Sequence, residues 1–548
     1  MNWNMGDMLD AVAAVVPKDR PAIIQGDTAI SWQEFDERSN RMARAMIDAG
    51  LTPGDRVAFI SRNHPAYLEG LAACLKARLV HVNINYRYRT DETAYVFTDC
   101  NVRAVIYQKE FAYLIADLRS SFPAVLLWIC IDGESNVTPG VHFEKLAEQG
   151  DPAPLGIERS SDDAFLLYTG GTTGMPKGVI WPSGNYRECQ LESPLIKNRP
   201  RNLAEHIELV RTNDSPGRVI PACPLMHGAG MSSSLAELLS GGTVILLSAS
   251  GFDTDELWQA VARHKATRIL IVGDVFARPM LRALDALDAN PKKVDLDSLR
   301  VISSAGLIWS QEIKQGLLHH LPLVSMVDIF GASEASGLGY SVTTVNATVP
   351  TGRFVPASTT VLIDEHGALL PSGKVGEGYI ARSEPLPLGY FGDAKKTAEV
   401  FRIIDGKRYA VPGDWARLDE EGFMQVIGRG NLVINTGGEK VFVEEVEEAL
   451  KLHPSIDDAL VVGIPDERWG NIVAALVCIK PGMTFGKTAD FTEVRQAMAT
   501  KLAGYKIPKV LFDVTEMPRS PAGKPNYKVA RELAAARLAQ SLPKLKQL

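Results

Sequence analysis

Residues 165–179 read FLLYTGGTTGMPKGV, and the organisation of the whole chain follows from them. The apolar run Phe165, Leu166, Leu167 has the character of a buried strand. It breaks into a loop with Gly170, Gly171 and Gly174, hydroxyls at Thr169, Thr172 and Thr173, and one cation, Lys177. Glycine lets a backbone approach a ligand closely, and successive N–H groups with hydroxyls make a concave array of donors. The stretch is therefore expected to cradle an anion, a polyphosphate above all. A Walker A loop is the nearest rival, but it places the lysine directly after the last glycine and a Ser or Thr after the lysine to hold Mg²⁺. Here the order is Met175, Pro176, Lys177, Gly178. The proline interrupts a helix start and no hydroxyl follows, so a P-loop kinase or ATPase is rejected.

Residue for residue, the stretch resembles the phosphate-binding loop of the adenylate-forming superfamily, whose pattern is [ST]-[SG]-G-[ST]-T-G-x-P-K-G. Acyl-CoA synthetases, luciferases and peptide-synthetase adenylation domains share it. The resemblance implies ATP as cofactor and coenzyme A as co-substrate, and it extends over essentially the whole chain in four further motifs.

The first is MVDIFGASEASG, residues 326–337, where an apolar strand delivers Phe330 to Gly331, Ser333 and Glu334. The family pattern is an aromatic, Gly, any residue, Thr, Glu, and Ser333 keeps the hydroxyl. The chemistry asks for a carboxylate holding Mg²⁺ on phosphate oxygens, because Mg²⁺ prefers oxygen ligands and retains several waters. The resemblance implies that role for Glu334. The second is VPGDW, residues 411–415, in which Asp414 resembles the aspartate that accepts hydrogen bonds from both vicinal ribose hydroxyls. Arg429, after a strand at 424–427, resembles the arginine that touches ribose or phosphate. The third is RGNLVINTGG, residues 429–438. Its resemblance implies an interdomain hinge at Asn431, where the family commonly has Asp or Lys, and a loop at Gly437 and Gly438 lining a coenzyme A tunnel. Asn435 stands where many relatives carry a lysine. The fourth is PRSPAGKPNYK, residues 518–528, whose S-x-x-G-K pattern resembles the loop of the catalytic lysine, here Lys524.

PACPLMHGAGM, residues 221–231, carries a lone histidine, a residue more often structural than functional. His227 nonetheless precedes Gly228, Ala229 and Gly230, which open space beside it and lead into a helix expected at 232–239. The resemblance implies an acyl pocket near it. The substrate-pocket candidates are His227, Ala229, Gly230, Ser304, Gly306, Gly331 and Gly337; the catalytic candidates are Lys524, Glu334, Thr169 and His227.

From Pro21 onward short apolar strands (RVAFI at 56–60, RAVIY at 103–107, TVILL at 243–247, TRILIV at 267–272) alternate with helical patterns such as PAYLEGLAACLKA at 65–77. Such alternation predicts an α/β fold with parallel, doubly wound sheets. Short strands near 359–363, 378–382 and 409–411 predict a β-rich subdomain, and the last 117 or so residues a small, mobile α+β domain. The expected division is a large N-terminal domain at 1–428, a hinge at 429–431 and a C-terminal domain at 432–548. Residues 187–218 are polar and poorly periodic, and are expected to be a surface excursion.

Hydrophobic content of 46% and charged content of 22% are those of a soluble globular protein. The net charge of −7 argues against nucleic acid as a partner, while leaving room for a local cationic site that takes an anionic substrate. The N-terminus lacks a basic lead and long apolar core, no apolar run reaches membrane-spanning length, and six scattered cysteines form no CxxC pair. A cytoplasmic protein with reduced thiols is expected, with a homodimer left open as the one protein partner.

The implied function is a carboxylic acid–CoA ligase releasing AMP and pyrophosphate. The GGTTG loop and the run at 429–451 look most like bacterial acyl-CoA synthetases that act on fatty acids or steroid side-chain acids. Two alternatives remain: an acyl-AMP ligase that loads a carrier protein, and a non-catalytic nucleotide-binding relative.

Overall fold

The computed structural model describes all residues except 1–2, 134–139, 170–175, 195, 197, 289–293, 308, 372, 430–431, 437–438, 467–468, 482–490, 500–501, 503, 520–522, 524 and 546–548. The chain divides into two compact units, one of Met1–Val361 with Ala381–Pro412, the other of Leu362–Ile380 with Gly413–Leu548.

The first unit is built on two sheets, as strand and helix alternation requires. In the first, Pro21–Gln25, Thr243–Leu246, Arg218–Pro221, Arg268–Ile271, Val301–Ala305 and Ser325–Ala332 run parallel in that spatial order. The hairpin partner Ala335–Thr343 then turns the sheet antiparallel. In the second, Ala164–Thr169, Val80–Asn83, Arg56–Ile60, Val102–Gln108 and Leu127–Ile131 lie side by side in parallel. Parallel strands need helical crossovers that cover both faces, so their sequences are almost uninterruptedly apolar. In RVAFI, Val57 to Ile60 are fully buried. The helix Pro65–Lys76 starts where it does because His64 accepts the amide of Ala66 at 3.1 Å and Pro65 occupies the first turn, where no amide hydrogen is needed.

Each sheet has its own core. Ile220, Trp258, Ile269, Trp309 and Leu317 pack on the first, and Val82, Phe97, Val105, Trp128 and Leu166 on the second. At about 1.5–3 kcal/mol per fully buried large apolar side chain, these clusters hold the strand ends, and hence the loops beyond them, in fixed places.

Two local expectations are corrected. The segment 187–218 is no featureless surface excursion: it contains part of helix Ser183–Leu191 and helix Leu203–Arg211. Arg187 and His206 are 2% and 4% exposed, and His206 Nε2 bonds the Leu239 carbonyl at 2.7 Å. The helix expected at 232–239 begins earlier, spanning Gly228–Leu239 with His227 as its extended N-cap residue. Glycine disfavours helix on propensity, but tertiary packing overrides that here.

In the second unit, strand Ile456–Asp466 is buried on both faces. Ala459 and Val461 meet helix Val443–Lys451, while Leu460 and Val462 lie in a separate cluster with Ala530 and Ala534 of helix Tyr527–Leu545. Strand Gly470–Ile479 pairs antiparallel with it and Val510–Asp513 parallel beyond. Asp414–Leu418 pairs with Met424–Arg429 and, on its other side, with the start of Gly376–Ser383. All six cysteines are free and five are buried. Among the described residues no helix is long and apolar enough to cross a membrane.

Candidate active site

The strands flanking the glycine-threonine segment pair antiparallel over their whole length, with Thr169 opposite Lys177. Gly170, Gly171, Thr172, Thr173 and Gly174 lie outside the described residues. Lys177 opens the strand Lys177–Pro182, and its ammonium is paired with the carboxylate of Asp393. That hydrogen bond holds the Lys177 ammonium above the usual lysine range and the Asp393 carboxyl below the usual carboxylate range. The same strand pairs with Gly389–Tyr390, Tyr390 opposite Val179, which brings the segment 389–393 alongside the lysine.

Ser333 and Glu334 are the two turn residues of the hairpin between Ser325–Ala332 and Ala335–Thr343. A two-residue turn is a short, stiff way to present a side chain. Its position is fixed from the lysine strand and that strand's neighbour. Trp181 Nε1 donates to the Ser333 carbonyl at 2.8 Å, and the Tyr390 hydroxyl donates to Glu334 Oε1 at 2.6 Å. Lys177, Asp393, Tyr390 and Glu334 thus form one connected group.

Phe330 packs against Phe354 with ring centroids 5.3 Å apart. Gly331 and Gly337 face each other across the hairpin, where a Cβ on Gly331 would stand 2.9 Å from the Gly337 amide nitrogen. Gly337 also needs its φ of +66° and offers its carbonyl to Arg382 at 2.7 Å, so both glycines answer first to backbone packing.

On the acyl side His227 is half-buried at the start of its helix, next to Gly228 and Ala229. Gly230 is small for a local reason: a Cβ there would lie 2.6 Å from the Pro224 carbonyl oxygen. Ser304 is fully buried and its hydroxyl accepts the Gly273 amide at 2.8 Å. Beside Gly306 the nearest atom to a Cβ would be Val272 Cγ1 at 3.8 Å, which leaves room.

In the second unit Asp414 begins the strand Asp414–Leu418, is 7% exposed, and has Arg429 as its cross-strand partner. Asn431, Gly437, Gly438 and Lys524 lie outside the described residues; Asn435 lies on the strand Val433–Thr436. Described residues on either side of position 524 in sequence make defined contacts. Arg519 holds Asp458 through two 2.7 Å hydrogen bonds, bridges Pro525, and donates to the Gly523 carbonyl at 3.0 Å. Tyr527 donates to Glu447 at 3.2 Å.

Sequence reasoning did not mark Tyr390, Asp393 or Trp181 as working residues, because each acts on a partner distant in sequence. Nor did it mark a cavity of about 740 Å³ in the first unit lined by Arg62, Tyr86, Arg87, Tyr88 and Arg89. Arg62 and Arg87 lie 5.0 and 5.1 Å from the Tyr86 ring centroid. Glu110, which also lines the cavity, pairs with Arg62 at 2.7 Å, so that guanidinium is already engaged.

The residues also fit Mg²⁺. Among the described residues no three His, Cys, Asp or Glu side chains converge into a protein cage. Glu334 Oε2 has no hydrogen-bond partner among the described residues, since Tyr390 uses Oε1. One free carboxylate oxygen is the donor set expected where substrate phosphates and water complete the coordination.

The chain matches the family model described as AMP-binding enzyme over residues 9–391, and that described as AMP-binding enzyme C-terminal domain over 445–524. It is 36% identical to a 3-oxocholest-4-en-26-oate–CoA ligase of Rhodococcus rhodochrous, covering 99% of this chain and 98% of that one. It is also 36% identical to a medium/long-chain-fatty-acid–CoA/3-oxocholest-4-en-26-oate–CoA ligase of Mycobacterium tuberculosis, covering 98% and 97%. ATP-bound MatB from Rhodopseudomonas palustris superposes with a TM-score of 0.80 at 25% identity, covering 98% of this chain and 99% of that chain.

Proposed function

Because the chain belongs to the AMP-binding enzyme family, we propose that it is an ATP-dependent carboxylic acid–CoA ligase acting on a fatty acid or a bulky apolar acid of the steroid side-chain type. The observation that carries this is the connected group Lys177, Asp393, Tyr390 and Glu334 on and beside the strand that follows the glycine-threonine segment in sequence. It sets one cation and two carboxylates on and beside the strand that leads out of the segment expected to hold phosphate.

In the first half-reaction a substrate carboxylate oxygen attacks the α-phosphorus of ATP and pyrophosphate leaves. The protein has to orient the reactants and offset charge on the phosphorane oxygens. Lys177 would take the β- and γ-phosphates, exchanging Asp393 for a phosphate oxygen. Thr169 and the hydroxyls after it would donate to the same groups. Mg²⁺, when bound at Glu334, neutralises charge on the phosphate oxygens. Asp414 would accept from the ribose hydroxyls, with Arg429 beside it, and Lys524 would bridge the carboxylate and the α-phosphate. In the second half-reaction the coenzyme A thiol attacks the acyl carbonyl and AMP leaves. His227, Ala229 and the space beside Gly306 would border the acyl group.

The direct test is carboxylate-dependent release of pyrophosphate with AMP, followed by appearance of free acyl-CoA, across a panel of fatty and steroid acids. Formation of ADP would overturn the proposal, and acylation of a carrier protein in preference to free coenzyme A would replace it with the carrier-loading alternative.

Two variants probe its parts. Tyr390→Phe should slow adenylation about tenfold and lower the unfolding temperature, since it removes one hydrogen bond to a charged group, worth about 1.5–3 kcal/mol; an unchanged rate means Tyr390 does not hold Glu334 in its working position. The hinge proposed at Asn431 predicts that Asn431→Pro slows thioester formation more than adenylation, because proline fixes φ where the backbone has to rotate. Equal slowing of both steps counts against a hinge at that residue.

A further inference from the structure

Val80–Asn83 and Arg56–Ile60 are adjacent parallel strands of the second sheet, and an asparagine stands at or just beyond the carboxyl end of each. That edge of an open α/β sheet is where such folds usually admit a ligand. Here the chain itself occupies it, with the segment from Pro221 to His227 delivered from the first sheet.

Asn63 holds this segment at three points. Its Oδ1 accepts the Leu225 amide at 2.7 Å, and its Nδ2 donates to the Cys223 and Pro221 carbonyls at 3.1 and 3.4 Å. Asn83, 5% exposed, holds two segments at once. Its Oδ1 accepts the Tyr168 amide at 2.7 Å and its Nδ2 donates to the Tyr168 carbonyl at 3.0 Å, so the side-chain amide behaves as one more peptide group of the strand ladder. The second Nδ2 hydrogen goes to the Met226 carbonyl at 2.7 Å. Tyr168 precedes Thr169, where the phosphate-binding segment begins, and Met226 precedes His227, where the acyl side begins.

We propose that Asn83 is a positioning residue that sets the spacing between the phosphate-binding segment and the acyl pocket, and that Asn63 is a positioning residue for the acyl side alone. The proposal rests on the roles assigned above to Thr169 and His227. The residue types fit it narrowly. An aspartate at 83 would lose both donors and set a carboxylate against two carbonyl oxygens, and a leucine would leave three buried backbone groups without partners.

The test is steady-state pyrophosphate release by the full-length enzyme, varying ATP and acid separately, with AMP binding measured by calorimetry in the absence of acid. Asn83→Ala should raise KM for ATP and for the acid by about tenfold or more each, given what a misplacement near 1 Å costs, and should weaken AMP binding. Asn63→Ala should raise KM for the acid while leaving KM for ATP and AMP binding unchanged. If Asn83→Ala does not yield folded protein, Asn83→Ser, which keeps one donor, is measured in its place and should shift both KM values in the same direction. A fall in unfolding temperature with both KM values unchanged, or a shift for one substrate alone in the Asn83 variant, overturns the proposal. Failure of the unaltered enzyme to release pyrophosphate with any acid would instead remove the function on which the proposal rests.

Discussion

Lys524→Ala is expected to cut adenylation by about a hundredfold or more while sparing thioester formation from supplied acyl-adenylate. Loss of one preorganised charge-stabilising contact commonly costs a factor of about 100 to 1,000. The loss should fall on the first half-reaction alone, because only there does negative charge build between a carboxylate and the α-phosphorus. Lys524 itself lies outside the described residues, but its neighbours are tied down: Arg519 to Asp458, Asn526 to the Pro518 carbonyl at 2.9 Å, and Tyr527 to Glu447. Single-turnover pyrophosphate release, run beside thioester formation from synthetic acyl-adenylate, separates the two steps. Full adenylation by the variant would refute the assignment.

Glu334→Gln should lower kcat for pyrophosphate release by about a hundredfold and raise the Mg²⁺ concentration needed for half-maximal rate. Glutamine keeps an acceptor for the Tyr390 hydroxyl, so the hairpin turn should stay in place and only the charge is lost. Removing the charge, and not the shape, isolates the metal role, because a neutral amide oxygen holds Mg²⁺ far less well than a carboxylate. Rates equal to the unaltered enzyme at every Mg²⁺ concentration would show that Glu334 serves only the hydrogen bond to Tyr390.

These two residues were legible in the same way. Lys524 and Glu334 both sit in short motifs, and a motif survives translation into sequence because its function needs consecutive residues: a turn, a glycine, a charged tip. The alternation of strands and helices was equally legible, since burial on two faces imposes an apolar run and burial on one helical face imposes a period of 3.6. What holds Glu334 was not legible. Tyr390 is 56 positions away, and Asp393 is 216 positions from Lys177. No local pattern announces such pairs, because their geometry depends on which strands become neighbours.

The helix at Gly228 shows the same limit from the other side. Three small residues looked like a spacer by propensity, yet they form a helix's first turn, and Gly230 is small because the Pro224 carbonyl occupies the place of a side chain. Residues 187–218 looked like surface because their polar residues are many, yet Arg187 and His206 are buried between helices that the sequence pattern did not announce.

By itself, the sequence of this protein determined the α/β architecture, and it marked the segment proposed to bind phosphate and the carboxylates and lysines proposed to do chemistry, since each is written in adjacent residues or a fixed period. Only the tertiary structure decided what each of them touches. Tyr390 on Glu334, Asp393 on Lys177 and Asn83 between Tyr168 and Met226 are contacts across strands far apart in the chain. Their distances are fixed by the packing of whole sheets, and no segment carries that information alone.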